Sequence, residues 1–459
     1  MKFWIFASFL TAYALLAHKA PALAASEATA PNAGNPILPA YFADPSIHKF
    51  GSTYYIYGTT DGNSWRGGAP GVWMSEDLAH WRFEKMTFDV SIDTFWAASA
   101  LFHHGKYFLY YSKTFSPGTY VAESDLPTGP WTEKALLAAD DIDAQPFLDD
   151  DGRLYLYYGG IKFPKVVRLN DDAISFAESP SPLILPSFEE GSFMLKRGGI
   201  YYLMYSNGDC SNDSYNLRYV TSRSPYGPFV DGPNNPILST TSDGSIHGPG
   251  HHSVLEEKGT YYVIYHRHDN PHAADGLRRQ VAIDEMNFDA DGGIKRMAPT
   301  HEGPAIIRQN SQLEQNLAAG KSVVASSIFS VNYSPAAALD NNNGTRWTAA
   351  TASKPQWLQI DLGDIKEIGR VELSFEYAER WVRYHIEASI DGQNWTLFAD
   401  HKNATQSFSP YTDVKNTKAR YIKLLITETE REEDFASIWE LKVFGPTSTS
   451  NNRLNSRAP

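Results

Sequence analysis

One short phrase is written five times along this chain. It reads GSTYYIYGTT at 51–60, HGKYFLYYSK at 104–113, DGRLYLYYGG at 151–160, RGGIYYLMYS at 197–206 and KGTYYVIYHR at 258–267. Each copy is a turn signal, Gly or Asp-Gly, followed by a brief run of Tyr, Leu, Ile and Phe. So short an apolar run between turn residues is a buried strand. The copies recur at intervals of roughly 45 to 60 residues. Several strands per unit at such a period signal a propeller. A second recurring element follows three of the runs: SEDLAHW at 75–81, ESDLPTGPW at 123–131 and SRSPYGPF at 222–229. These turn-rich stretches fit the outer edges of blades. Five runs predict five blades over residues 34–308. No sustained apolar stripe of helical period competes with that reading.

Near Arg308 the pattern changes. RQNSQLEQ (308–315) is polar and reads as a linker. Beyond it come alternating segments with closely spaced Gly turns, among them WLQIDLG, YHIEASIDGQNW, ARYIKLLI and WELKVFG. Such spacing predicts a β-sandwich over 314–445. The polar tail, 446–459, lacks the apolar content to fold. The chain is therefore expected to be all-β with two domains. A length of 459 residues allows two or three.

Composition narrows the partners. The formal net charge of -13 argues against nucleic acid, whose phosphates need a basic face. Aromatics make up 13% of the chain, which suits sheets and also surfaces that stack on flat ligand faces. The start, MKFWIFASFLTAYALLAHKAPALAAS, has a lysine, an apolar run and an Ala-Leu-Ala cleavage signal. It reads as a secretory signal peptide over 1–24, with an apolar run too short for a membrane span. The protein is expected to be secreted or periplasmic. Cys210 is the single cysteine, so no intrachain disulfide forms, and nothing around it marks a thiol nucleophile.

A propeller brings the inner strands of its blades together at an axis, where residues distant in sequence meet. Three acids stand at matching offsets before runs: Asp44 in FADPSI, Asp143 in DIDAQPF and Glu190 in FEEGSF. An acid before a strand is often just a solvated turn residue. Three at the same offset point to convergence. Two carboxylates across a bond can hydrolyse a glycoside, one as general acid and one as base or nucleophile. A third can raise and orient the acid.

The segment from about Asn35 to Arg308 resembles glycoside hydrolase family 43, a five-bladed propeller family. NPILPAYFADPSIHKFGSTYYIYGTTDG, IDAQPFLDDDGRLYLYYG and EEGSFMLKRGGIYYLMYS carry the likeness. The resemblance implies Asp44 as general base, Asp143 as pKa modulator and orienter, and Glu190 rather than Glu189 as general acid. It implies inversion, with the Asp44 and Glu190 carboxyls roughly 6.5–9.5 Å apart. HGPGHHSV (247–254) makes His251 the counterpart of an axial histidine that holds calcium, often through water. GLRRQVAIDEMNFDADG makes Arg279 the arginine that reaches the sugar. Phe95, Trp96 and Trp65 are expected to wall the substrate pocket, with Ala98 standing where the family usually has proline.

The C-terminal region resembles the F5/8 type C, discoidin-like sandwich, called carbohydrate-binding module family 32 in carbohydrate enzymes. NLAAGKSVVASS, ALDNNNGTRWTAA, PQWLQIDLG, ARYIKLLI and WELKVFG carry that likeness. It implies a structural calcium on Asp340, Thr345 and Glu440, with carbonyls from Asn342 and Asn343. Trp381 is its one candidate sugar contact. Together the two likenesses imply a secreted glycosidase that removes α-L-arabinofuranosyl or β-D-xylosyl units from a plant polysaccharide or oligosaccharide. Endo-arabinanase, β-galactofuranosidase or galactanase action at the same site stays open, as does a non-catalytic glycan binder. Oligomeric state is open too.

Overall fold

In the computed structural model every one of the five runs is the second strand of a blade. The structure describes residue 32 and residues 34–446 apart from 63–66, 93, 114–116, 140, 161–162 and 273–275. The expected signal peptide and almost all of the tail lie outside those residues. Blade 1 comprises β1 (Phe42–Phe50), β2 (Thr53–Thr60), β3 (Gly71–Ser75) and β4 (Arg82–Lys85); blade 2, β5 (Trp96–His103), β6 (Lys106–Lys113), β7 (Gly118–Ser124) and β8 (Thr132–Ala139). Blade 3 comprises β9 (Gln145–Leu148), β10 (Leu154–Tyr158), β11 (Lys165–Arg168) and β12 (Ser181–Pro182). Blade 4 comprises β13 (Glu190–Arg197), β14 (Ile200–Asn207), β15 (Asn216–Ser222), β16 (Val230–Asp231) and β17 (Leu238–Ser239); blade 5, β18 (Gly250–Glu257), β19 (Thr260–His268) and β20 (Arg279–Met286). All pairing within blades is antiparallel and sequential, save that β17 pairs back to β15.

The aromatic runs are buried because a second strand has a neighbouring blade on each face. β10 is buried at all five positions. Five apolar clusters fill the five gaps between blades. Each fully buried large side chain in them contributes about 1.5–3 kcal/mol. The ring is closed by the segment ahead of β1. Ile37 N–H donates to Val281 O at 2.9 Å, and the Asn35 side chain bonds both the C=O and the N–H of Ile283 in β20. The three turn-rich stretches lie between third and fourth strands, at the outer edges of blades 1, 2 and 4.

The expected linker begins inside a helix, α1 (Ala305–Ser311). Ile307 is buried there against the core between blades 1 and 5, which ties down a stretch that its polarity alone marks as free. The C-terminal domain follows: β21 (Ser322–Ala325), β22 (Trp347–Thr348), β23 (Gln356–Phe375), β24 (Val382–Ser389), β25 (Thr396–Asp400), β26 (Tyr411–Thr429) and β27 (Ser437–Phe444). The long strands β23 and β26 pair along their length but shift register near Asp361–Lys366 and Ile368–Arg370. There they bend, so each serves two layers around one core.

The domains are packed against each other. Arg346 of the sandwich lies over the rings of Tyr41, Tyr333 and Trp439 and pairs with Glu376. Tyr41 of the propeller meets Trp439 edge-on at 5.2 Å. Gln280 Nε2 donates to Asn343 O at 2.9 Å, and Phe83 N–H donates to Ser409 O. No helix among the described residues is long and apolar enough to cross a membrane.

Candidate active site

Five equivalent points on the ring face the axis. At the inner end of each blade's first strand, one residue takes left-handed backbone: Asp44 (φ 53°), Ala97 (45°), Asp143 (60°), Gly191 (66°) and His251 (42°). Pairing register slips at this point in β1, β5, β13 and β18. A bulge there re-aims a side chain out of the sheet. Holding a non-glycine residue in this region costs of order 1–3 kcal/mol, so the surroundings must enforce it. In blades 1, 3 and 5 the left-handed residue carries the functional group. In blades 2 and 4 the residue just before it does: Trp96 and Glu190. A Cβ at Gly191 would crowd the His251 ring, 3.1 Å from its Cγ.

Asp44 is buried and fully engaged. Oδ1 accepts from the Arg279 guanidinium at 3.1 Å and lies 3.2 Å from His251 Nδ1. Oδ2 accepts from Thr59 Oγ1 at 2.6 Å. Its amide donates to His266 Nδ1, an imidazole that burial keeps neutral, with its pKa pushed down to about 3. Burial pushes the Asp44 carboxyl up, but the charge of Arg279, then His251, outweighs it and holds Asp44 well below the usual carboxylate range. Arg279 is aimed by Asp61, which accepts from Nε at 2.9 Å and from the Arg279 amide at 2.9 Å.

Across the axis the balance is reversed. Burial raises both Asp143 and Glu190. For Asp143 the charges of Glu190 and Asp44 add to burial, against His251, and its pKa is pushed up to about 7. The two acids titrate as a pair that keeps one proton near neutrality. Tyr215 O–H donates to Glu190 Oε1 at 2.6 Å, and Glu190 Oε2 has no protein partner among the described residues. The shared proton on the glutamate is thus directed to Oε2. Gly191 N–H donates to Asp143 Oδ2 at 3.3 Å. Burial pushes His251 down, but Asp44, Asp143 and Glu190 together outweigh it, so the ring is raised toward its charged form.

Other expected site residues fall elsewhere. Phe95 is not a pocket wall. It is wholly buried between blades 1 and 2, 5.2 Å from the Tyr111 ring and 5.8 Å from Phe88. Trp96 beside it is half-buried at the axial end of β5. Trp65 lies outside the described residues. Cys210 is a free thiol of intermediate burial, and burial pushes its pKa up to about 12. Asp61, Thr59, Tyr215 and His266 were not singled out from sequence. Asp61 and Thr59 had a signal, since TTDG directly ends the first run and β2 pairs beside Asp44. Tyr215 had none.

His251 Nδ1 faces Asp44 Oδ1 at 3.2 Å, so this nitrogen is engaged with the carboxylate. The sandwich site is different. Asn342 N–H donates to Asp340 Oδ1 and to Glu440 Oε1, and Thr345 Oγ1 donates to Asp340 Oδ2 at 2.7 Å. Glu440 is 2% exposed, and its Oε2 has no hydrogen-bond partner. A buried carboxylate with an orphaned oxygen and a half-buried one, beside a hydroxyl and a carbonyl, suit a hard dication. Asn343 does not join them, since its carbonyl accepts from Gln280 and its side chain bonds Pro36 O and Ile37 O. Trp381 is half-buried with the Arg383 guanidinium 4.6 Å over its ring.

Comparison with known proteins adds the following. A family model described as glycosyl hydrolases family 43 matches residues 33–294, more than half the chain. One described as F5/8 type C domain matches residues 322–441. A β-D-galactofuranosidase of Aspergillus niger is 33% identical across 63% of this chain and 92% of its own. A β-xylosidase of Xylanibacter ruminicola is 29% identical across 56% and 96%. A solved structure described as a glycoside hydrolase superposes with TM-score 0.79 at 30% identity, over 91% of this chain and 100% of that one.

Proposed function

Since the chain belongs to glycosyl hydrolases family 43 and so cleaves glycosidic bonds, we propose that it is an exported, inverting exo-glycosidase acting on α-L-arabinofuranosyl or β-D-xylosyl ends of plant polysaccharides. The observation that carries this reading is the convergence of three acids at the axis, Asp44 held by Arg279 and His251, Glu190 by Tyr215, and Asp143 by the Gly191 amide. Asp44 is kept ionised by Arg279 and His251, as a base must be. The Asp143–Glu190 pair keeps a proton, as an acid must. Glu190 Oε2 protonates the leaving oxygen, and Asp44 takes the proton of a water that attacks from the opposite face. Asp143 repels the Glu190 charge and so holds the proton in place. Arg279, fixed by Asp61, offers its remaining N–H groups to sugar hydroxyls. Trp96 supplies an apolar wall.

In the sandwich, Asp340, Thr345, Glu440 and the Asn342 carbonyl would hold calcium. That ion would neutralise the two carboxylates and stiffen the loop that abuts the propeller. The sandwich as a whole would hold the enzyme at polymer and raise its local concentration. Names of relatives bear on the sugar. Several are called xylosidase/arabinosidase, whereas the 33% identical Aspergillus niger relative is a β-D-galactofuranosidase. β-D-Galactofuranose is therefore the second reading. Nitrophenyl glycosides of α-L-arabinofuranose, β-D-xylopyranose and β-D-galactofuranose, with linear arabinan beside them, decide it. Turnover of one glycoside, with the product's anomeric proton inverted at first appearance by NMR, is expected. Retention, or activity on none of the four, refutes the reading.

A further inference from the structure

We propose that His103, His104 and Asp171 form a binding site for a zinc-class transition-metal dication, on the face of the propeller opposite the acids. β5 starts at Trp96 beside the axis and ends at His103. At ~3.3 Å per residue that puts His103 about 23 Å along the strand from its axial end. The strand then turns through His104 and Gly105, both at positive φ (48° and 79°), the backbone of a two-residue hairpin turn. Consecutive strand side chains normally point to opposite faces. The left-handed turn instead brings these two imidazoles together, with ring centroids 3.9 Å apart.

Both rings aim one nitrogen at one carboxylate. His103 Nε2 lies 3.0 Å from Asp171 Oδ1, and His104 Nε2 lies 3.1 Å from Oδ1 and 3.0 Å from Oδ2. Asp171 comes from the turn after β11, so the cluster bridges blades 2 and 3. That turn does not need it: Asp172 bonds Ile174 N–H and Ser175 Oγ. Among the described residues, Asp171 has no side-chain partner but the two imidazoles.

Donor type and spacing select the ion. Two imidazoles and a carboxylate suit zinc, copper or nickel, and not calcium or magnesium. Zinc bonds of about 2.0–2.2 Å in a tetrahedron put neighbouring donors about 3.3–3.5 Å apart. The imidazole–carboxylate spacings of 3.0–3.1 Å need only about 0.3 Å of opening to admit the ion. The fourth position opens to solvent, because the His104 and Asp171 side chains are 67% and 76% exposed. An imidazole–carboxylate pair so exposed adds little stability by itself, whereas a metal bridging two blades would add measurably.

The test is zinc chloride titrated into the full chain by calorimetry, with calcium in excess to occupy the oxygen-lined site, and cobalt substitution read by its visible bands. One saturable zinc equivalent is expected, with a zinc-dependent rise in Tm and tetrahedral cobalt bands. His104→Ala and Asp171→Ala sit on exposed turns and should fold. Each is expected to weaken zinc about tenfold or more and to abolish the cobalt bands, with glycosidase activity unchanged. No saturable zinc binding, or binding undiminished in both variants, overturns the proposal.

Discussion

The two domains bury acids in pairs and neutralise them differently. At the propeller axis, Asp44 has a guanidinium and an imidazole, and Asp143 with Glu190 keeps a proton. In the sandwich, Asp340 and Glu440 have no cationic partner within hydrogen-bond reach, and one oxygen of Glu440 bonds nothing. The first arrangement leaves a proton that can be given away. The second leaves two acids whose charge burial disfavours, which the proposed calcium would neutralise. On that proposal the contrast is between acids set for turnover and acids set for rigidity.

Substitution at the axis should break the comparison most strongly. Asp44→Asn is expected to lower kcat/KM by about 10⁴-fold on every substrate. Glu190→Gln should cost a similar factor on alkyl and sugar leaving groups, yet much less on nitrophenyl glycosides, whose leaving oxygen needs no proton. Equal losses for both leaving groups would remove Glu190 from the acid's role. The pH profile sharpens the same point. Asp44 stays ionised well into acid, so the acid limb lies below the usual carboxylate range. The Asp143–Glu190 pair loses its proton as pH rises through about 7, and activity should then fall about tenfold per unit. Because Asp143 is raised in the folded state, its contribution to stability is present below its unfolded value and lost as pH climbs through about 7. Asp143→Asn should therefore raise Tm at pH 8 while lowering activity. A Tm unchanged at that pH would contradict the raised value.

The sandwich should answer in stability rather than rate. Chelating calcium is expected to lower its Tm by about 5–10 °C while leaving kcat on small glycosides within about twofold. Glu440→Gln should abolish that sensitivity. An unchanged Tm on chelation would place Asp340 and Glu440 in a proton-sharing pair like the one at the axis. The smallest effect should come from Gln280→Ala. It removes the side-chain bond to Asn343 next to Arg279, worth about 1 kcal/mol, and should shift Tm by about 2–4 °C. A large loss of kcat instead would mean that the sandwich braces the base directly.

The fold was legible because a second strand has no solvent face, so its sequence must be apolar throughout, and five such strands announce themselves. The three acids were legible for a related reason: each stands at a matching offset ahead of its run, at the inner end of a first strand. Phe95 and Trp96 mark the boundary of such reading. Adjacent aromatics on one strand look alike in sequence, but the bulge sends Trp96 to the axis and Phe95 into the neighbouring blade. Tyr215 was illegible because nothing local marks it. Its role depends on Gly250, where a Cβ would fall 2.2 Å from the tyrosine ring, and on Glu190, twenty-five residues away.

The repeated left-handed step makes the axis a turret with five sockets of one design. Four hold Asp44, Asp143, His251 and the Glu190–Gly191 step. The fifth, in blade 2, is strained in the same left-handed way at Ala97 yet carries only a methyl group, with Trp96 beside it. That socket already bears its backbone strain without projecting a polar group of its own. A chain of this kind can change what it recognises by refitting one socket, while the sheets that hold the other four stay as they are.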